Sequence, residues 1–306
     1  MINDQKIRIK CKELVKKISI FKDRLAVQLN DKILIYLSSP DETLELKYKL
    51  FKKILKSIEC SLLVVTSYNL ILCQEKKLQM MNFAGEIDRE WMLESLIRYI
   101  KVIGGPPKKE SLLVGLKNGN VLKIFIDNSF PVILIKQNVP IRCVDISPNK
   151  NKLAVVDDNS NLSVYDLPTQ KLIYSEMNVT SVAWNTDLDD ILAYSGNGML
   201  FIKTGSTPPT NQKMNGFVVG FKGSKLFVLN FLNMTTIDVP QTASLLKYIE
   251  KKDFKTAHKL ACLGITEQDF RLLGIEALKG MDFDIAKKVI FLFIIFKVIF
   301  FGSSVS

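Results

Sequence analysis

The sequence predicts a mainly β protein: a WD40-like β-propeller of about six blade-like units, its ring complete or incomplete, followed by a short α-helical, TPR-like solenoid start. Three observations predict it. A pair of apolar runs around a polar turn recurs along the first 240 residues, the recurrence is near 40 residues, and the hydrophobic period changes from two to nearly four after Pro240.

The recurring unit is clearest in "KLAVVDDNSNLSVYDL", from Lys152. Its relatives are "RLAVQLNDKILIYL" from Arg24, "SLLVVTSYNLILCQEKKLQMMNF" from Ser61 and "SLLVGLKNGNVLKIFID" from Ser111. "DILAYSGNGMLFIK" from Asp190 and "KLFVLNFLNMTTIDV" from Lys225 complete the set, at steps of 37, 50, 41, 38 and 35 residues. Several turns hold Gly or Asn, as at Asn118-Gly119, Asn159 and Gly196-Asn197-Gly198, residues that reach the backbone angles of tight hairpins. A further β-rich run precedes most units: "IRYIKVI" (97–103), "IRCVDIS" (141–147), "VTSVAWN" (179–185). Three or four strands per repeat of about 40 residues is the spacing of propeller blades. A single blade cannot cover its own two apolar faces; radial stacking buries both.

Tyr165-Asp166, and more loosely Ile126-Asp127, stand where the Trp-Asp dipeptide ends the third strand of a WD repeat. The single histidine, His258, lies outside the repeats. No blade can then use a buried histidine network, and blade cohesion is assigned to apolar packing and ladder hydrogen bonds.

Residues 1–240 are read as the propeller. Beyond them "SLLKYIEKKDFKTAHKLACLGI" places Leu246, Ile249, Phe254, Ala257, Leu260 and Ala261 at mostly three- and four-residue steps, a helical pattern. "DFKTAHK" from Asp253 returns as "DFDIAKK" from Asp282, 29 residues on. The leading Asp caps a helix start in each, with Phe and Ala facing inward. Residues 241–288 are therefore read as the opening of a TPR-like α-solenoid. Residues 289–306 form an aberrant apolar tail, with "VIFLFIIFKVIFF" broken only by Lys297. We expect a gene-model artefact, since Phe, Ile and Lys are what A/T-rich intron sequence encodes. A tail anchor is the alternative, but 13 residues fall short of the roughly 17–25 that cross a bilayer, so no transmembrane segment is assigned.

The net charge of +11 invites a nucleic-acid reading, but its distribution does not support one. Residues 1–60 carry +6, residues 61–240 only +2 and residues 241–306 +3, with no basic block or basic-aromatic ladder. No nucleic-acid partner is expected. Cys11, Cys60, Cys73, Cys143 and Cys262 are scattered, without a C-x-x-C pair, and read as reduced thiols of a cytosolic protein.

Catalytic chemistry finds few groups. One histidine permits no Ser/His, Cys/His or multi-histidine site in the repeats. "GFKGSK" (220–225) lacks the phosphate-loop spacing and reads as a blade turn. Asp187, Asp189 and Asp190 form an acidic cluster without EF-hand spacing and read as a solvated turn. "VIGGPPKKES" (102–111) reads as a long connection, with partner contact as its alternative. Trp91 and Met92 are the best exposed-contact candidates, Trp91 being more readily blade core, and Trp184 reads as core. Catalytic, cofactor-binding and metal residues are all assigned as none, with no cofactor and no small-molecule substrate.

Long strings carry a resemblance beyond the repeat. "CKELVKKISIFKDRLAVQL", "REWMLESLIRYIKVIGGPP", "LLVGLKNGNVLKIFIDN", "SVAWNT", "GFVVGFKGSK" and "EALKGMDFDIAKK" make the chain resemble, from about Ile7 to Lys288, the intraflagellar transport protein 122 family. These are WD-repeat subunits of the intraflagellar transport A complex of cilia. The resemblance implies two consecutive propellers followed by a long TPR-like solenoid, of which this chain matches the second propeller and the first helical hairpins. It implies a non-enzymatic scaffold that supports retrograde ciliary transport, ciliary membrane-protein entry and cilium assembly. Its implied partners are other subunits of that complex and ciliary membrane-protein cargo or adaptors; its implied location is the cilium, ciliary base, cytoplasm and cytoskeleton. A coatomer-like vesicle-coat scaffold shares the plan and is the alternative.

Overall fold

The structure, a computed structural model, describes residues 7, 9–40, 46–231, 233–239, 241–262 and 265–291. Six small antiparallel sheets succeed one another, each a blade whose strands pair in chain order. The first holds β1 (Lys17–Phe21), β2 (Arg24–Gln28), β3 (Ile33–Pro40) and β4 (Leu46–Ile54). The second holds β5 (Leu62–Val65), β6 (Asn69–Gln74), β7 (Lys77–Asn82) and β8 (Ile87–Met92). The third is β9 (Ile97–Val102), β10 (Ser111–Leu116), β11 (Asn120–Phe125) and β12 (Val132–Lys136). The fourth is β13 (Ile141–Ile146), β14 (Lys152–Asp157), β15 (Leu162–Asp166) and β16 (Lys171–Glu176). The fifth is β17 (Ser181–Trp184), β18 (Ile191–Gly196), β19 (Met199–Thr204) and β20 (Thr210–Lys213). The sixth has three strands among the described residues: β21 (Phe217–Lys222), β22 (Lys225–Asn230) and β23 (Asn233–Asp238).

This mainly β, six-bladed architecture followed by helices is the predicted class. One repeat start moves. The Ser61 run is β5, the first strand of its blade, whereas the other five repeat starts fall at second strands. The true equivalent begins at Asn69 with β6, which removes the uneven 37- and 50-residue steps. The apolar run in β5 mimics a second strand because it is buried on both faces.

The chain divides into two compact units, residues 1–146 with 153–177 and residues 147–152 with 178–306. In the first unit the cores lie between blades. Leu70 and Leu72 of β6 join Ile33, Ile35 and Val65 on one side, while Ile71 and Cys73 join Leu112, Val114 and Leu116 on the other. Leu113 points the opposite way from Leu112, toward Ile141, Val144 and Val155. Alternate residues of a strand face opposite sides, so strands covered on both read as unbroken apolar runs such as "LILC". The first strands of successive sheets are neighbours: β1 and β5, β5 and β9, β9 and β13. Gly119, at φ 88°, closes the β10–β11 turn; a Cβ there would lie 2.1 Å from the Gln137 carbonyl oxygen.

In the second unit β17 neighbours β21, and Asn185 forms a parallel bridge with Phe221. One continuous core runs from Ile191, Ala193, Leu200, Val218 and Phe221 through Leu245 and Phe254 to Leu273. The helices are α1 (Thr242–Glu250), α2 (Phe254–Ala261), α3 (Glu267–Lys279) and a helical stretch over 283–291. Asp253 accepts from the Thr256 N–H at 3.1 Å and Asp282 from the Ile285 N–H at 3.2 Å, so both repeated aspartates cap as expected. Phe254, Ala257 and Ala286 are buried, but Phe283 is 66% exposed. That corrects the inward reading of Phe283. Phe254 has Gly280 to pack on, a residue whose added Cβ would meet its ring at 2.4 Å, whereas Phe283 has no later helix among the described residues. Val289 is buried, and the tail from Leu292 onward lies outside the described residues.

Candidate docking site

Polar groups join neighbouring blades where histidine cannot. The Val65 N–H of β5 donates to Ser19 Oγ of β1 at 2.9 Å, and the Val218 N–H of β21 donates to Ser181 Oγ of β17 at 2.6 Å. Ser181 Oγ also pairs with Ser195 Oγ at 2.7 Å, and both serines are buried. Lys101 Nζ of β9 reaches the buried Asp145 of β13 at 2.6 Å. Cohesion therefore rests on more than apolar packing and ladder bonds, which corrects that expectation. A serine on a strand reads as an exposed position in the apolar pattern, so periodicity passes over it.

At one end of the fifth and sixth blades, the turns at Gly196–Gly198, Asn215-Gly216 and Asn230-Phe231 enclose a groove of roughly 510 Å³. Phe217 and Leu229 show half-exposed apolar surface to it, and Phe231 is fully exposed. Phe231 sits at φ 38°, an unusual angle for a bulky residue, and the hairpin tip holds its ring outward. The amides of Asn197, Asn215 and Asn230 lie among the apolar groups. An apolar floor with uncharged donors and acceptors suits docking of another polypeptide rather than bond chemistry. The sequence reading missed this groove because its parts come from three turns.

The singled-out residues are dispersed. Trp91 is 3% exposed and donates from Nε1 to the Asn128 carbonyl at 3.0 Å, so it belongs to the blade core; Met92 is 74% exposed. Trp184 is buried, with Nε1 donating to the Asp189 carbonyl at 2.9 Å. "GFKGSK" is the β21–β22 turn, and Asp187 accepts from the Gly223 N–H at 3.0 Å. Asp189 accepts from the Asn149 N–H at 2.7 Å, and Asp190 pairs with Lys152. The acidic cluster is a solvated turn, as read, with Asp187 exposed and Asp189 and Asp190 half-buried, and each aspartate also braces a neighbour. "VIGGPPKKES" connects β9 to β10, with Lys108 Nζ 5.5 Å from the Tyr68 ring centroid.

Among the described residues no group of three His, Cys, Asp or Glu side chains could hold a metal ion. No disulfide joins the five cysteines, and burial pushes the Cys73 thiol up to about 12. No helix among the described residues is long and apolar enough to cross a membrane.

Five consecutive four-stranded blades and a sixth with three strands among the described residues, followed by capped helices, define a WD-type propeller protein with a helical extension. A family model described as the IFT122 second β-propeller matches residues 1–234. The curated proteins named intraflagellar transport protein 122 homolog from Xenopus tropicalis and Homo sapiens are each 53% identical over 288 residues, 94% of this chain. That from Danio rerio is 52% identical over the same length. The chain belongs to the intraflagellar transport protein 122 family. It spans about a quarter of the length of these relatives, 24% of the frog and zebrafish proteins and 23% of the human one.

Proposed function

We propose that this chain is the second-propeller and early-solenoid part, residues 1–240 and 241–288, of a non-enzymatic scaffold subunit of the intraflagellar transport A complex. It acts in retrograde ciliary transport, ciliary entry of membrane proteins and cilium assembly, from the cilium, its base and the cytoplasm. Its partners are other subunits of the complex and membrane-protein cargo or its adaptors. The observation that carries this reading is the 53% identity to the human relative, extending across both blades and helices. The mechanism rests on rigid surface: inter-blade cores hold the turns in place, and exposed patches such as the Phe231 groove dock partners over distributed area.

The test tags the full-length parent protein at its own locus, purifies it and deletes it. Co-purification of ciliary transport subunits, with shortened cilia or cargo accumulated at their tips after deletion, is the expected outcome. Normal cilia, with the tagged protein on Golgi membranes, would instead favour a vesicle-coat scaffold.

A further inference from the structure

The loop between β19 and β20, residues 205–209, carries Thr207-Pro208, one of three Ser/Thr-Pro dipeptides in the chain. Ser39-Pro40 lies within β3, paired with β4. Ser147-Pro148 has a buried serine whose hydroxyl donates to Asn149 Oδ1 at 2.7 Å. Thr207 instead stands in a surface turn between the exposed Ser206 and Pro208.

Ammonium groups converge on it. Lys247 Nζ, from α1, donates to Thr207 Oγ1 at 2.8 Å, and Lys203 Nζ, from β19, donates to the Thr207 carbonyl at 2.6 Å. Lys251 Nζ lies 3.9 Å from the point where a Cβ on Gly205 would stand. Among the described residues Lys247 has no carboxylate partner; a neutral hydroxyl meets its charge. Burial and the neighbouring Lys247 charge hold Lys203 below the usual lysine range. An anion at Thr207 Oγ1 would relieve this like-charge crowding.

We propose that Thr207 is a phosphorylation site for a proline-directed kinase, and that Lys247 and Lys203 then grip the phosphate and tie α1 to the fifth blade. The loop opens first, because Oγ1 also donates to the Thr204 carbonyl at 2.5 Å. Oγ1 then attacks the γ-phosphorus of ATP: the new O–P bond forms, the bond to the β-phosphate bridging oxygen breaks, ADP leaves and the hydroxyl proton passes to the kinase's base. The phosphothreonine carries a charge of about −1.5 to −2 and three acceptor oxygens, where one hydroxyl met one ammonium. The loop thereby acquires charge-assisted bonds to the first helix. This inference goes beyond the scaffold role and stands independently of it.

The experiment incubates the 306-residue chain with ATP and a mitogen-activated or cyclin-dependent kinase, maps the product by mass spectrometry and compares thermal midpoints. One phosphate on Thr207, absent from Thr207→Val, should raise the midpoint by about 2–4 °C. Lys247→Met should accept the phosphate and lose the rise. No transfer to Thr207, when the same kinase modifies a free peptide spanning residues 203–213, would overturn the site. An equal rise in Lys247→Met would overturn the lysine grip. Inorganic phosphate producing the same Lys247-dependent rise, without any transfer to Thr207, would assign the cluster to a soluble anion and overturn the modification.

Discussion

Ser181 on the first strand of the fifth blade accepts the backbone N–H of Val218 on the first strand of the sixth, at 2.6 Å. Ser19 on the first strand of the first blade accepts the Val65 N–H of the second in the same way, at 2.9 Å. Ser181→Ala leaves a buried N–H without its acceptor, a loss of about 1–3 kcal/mol. Urea denaturation of the variant beside Ser181→Cys measures it. An unchanged unfolding midpoint would remove the serine brace from the account.

Trp91 distinguishes core from contact. Trp91→Phe keeps the apolar ring and loses the Nε1 bond to Asn128, at a cost of about 0.5–1.5 kcal/mol. Trp91→Ala also empties the space between the second and third blades, at about 3–5 kcal/mol. Both losses should appear in denaturant titrations of the isolated chain. A stable Trp91→Ala chain defective only in partner binding would contradict the buried placement.

Phe231 should behave in the opposite way. Its ring is fully exposed, so Phe231→Ser should change folding stability by no more than about 0.5 kcal/mol. If the groove docks a partner, association of the full-length protein with its complex should weaken by about 1–2 kcal/mol. Quantitative co-purification against the unaltered protein reads this directly. Unchanged recovery would show that the groove is not a docking surface.

His258 sets one pH dependence. Burial, and secondarily the charge of Lys288, lower its pKa below the ordinary histidine value of 6.5, and Cys262 Sγ lies 4.0 Å from its ring nitrogens. The unfolded chain therefore binds the proton more readily than the folded one. This contribution to stability is fully present above 6.5 and is lost as pH falls through the folded value. Between pH 8 and pH 5, at about equal ionic strength, the unfolding midpoint of the native chain should fall relative to that of His258→Asn. Parallel pH profiles would refute the coupling.

Much of the fold was legible because blades write their burial into the chain. "LILC" and "LLV" (112–114) are apolar without a break since neighbours cover both sides, and Asn118-Gly119 marks a turn that only a residue free of Cβ can close. The same double burial misplaced the second unit: β5 and β6 are both apolar, and composition cannot say which comes first in a blade. The Asp253 and Asp282 caps were legible because capping is local, acting three residues along the chain. The Phe283 position was not, because the repeat specifies a local face and not what lies beyond it.

The amino-acid order alone settled the six-unit rhythm, the change to helices after Pro240 and the kinship, since strand period, helix period and caps depend on near neighbours. Tertiary structure decided that Ser181 braces a strand 37 residues away, that Trp91 is interior and that the groove beside Phe231 exists. Those outcomes depend on which distant atoms are brought within hydrogen-bonding or van der Waals range, and only the folded chain brings them there.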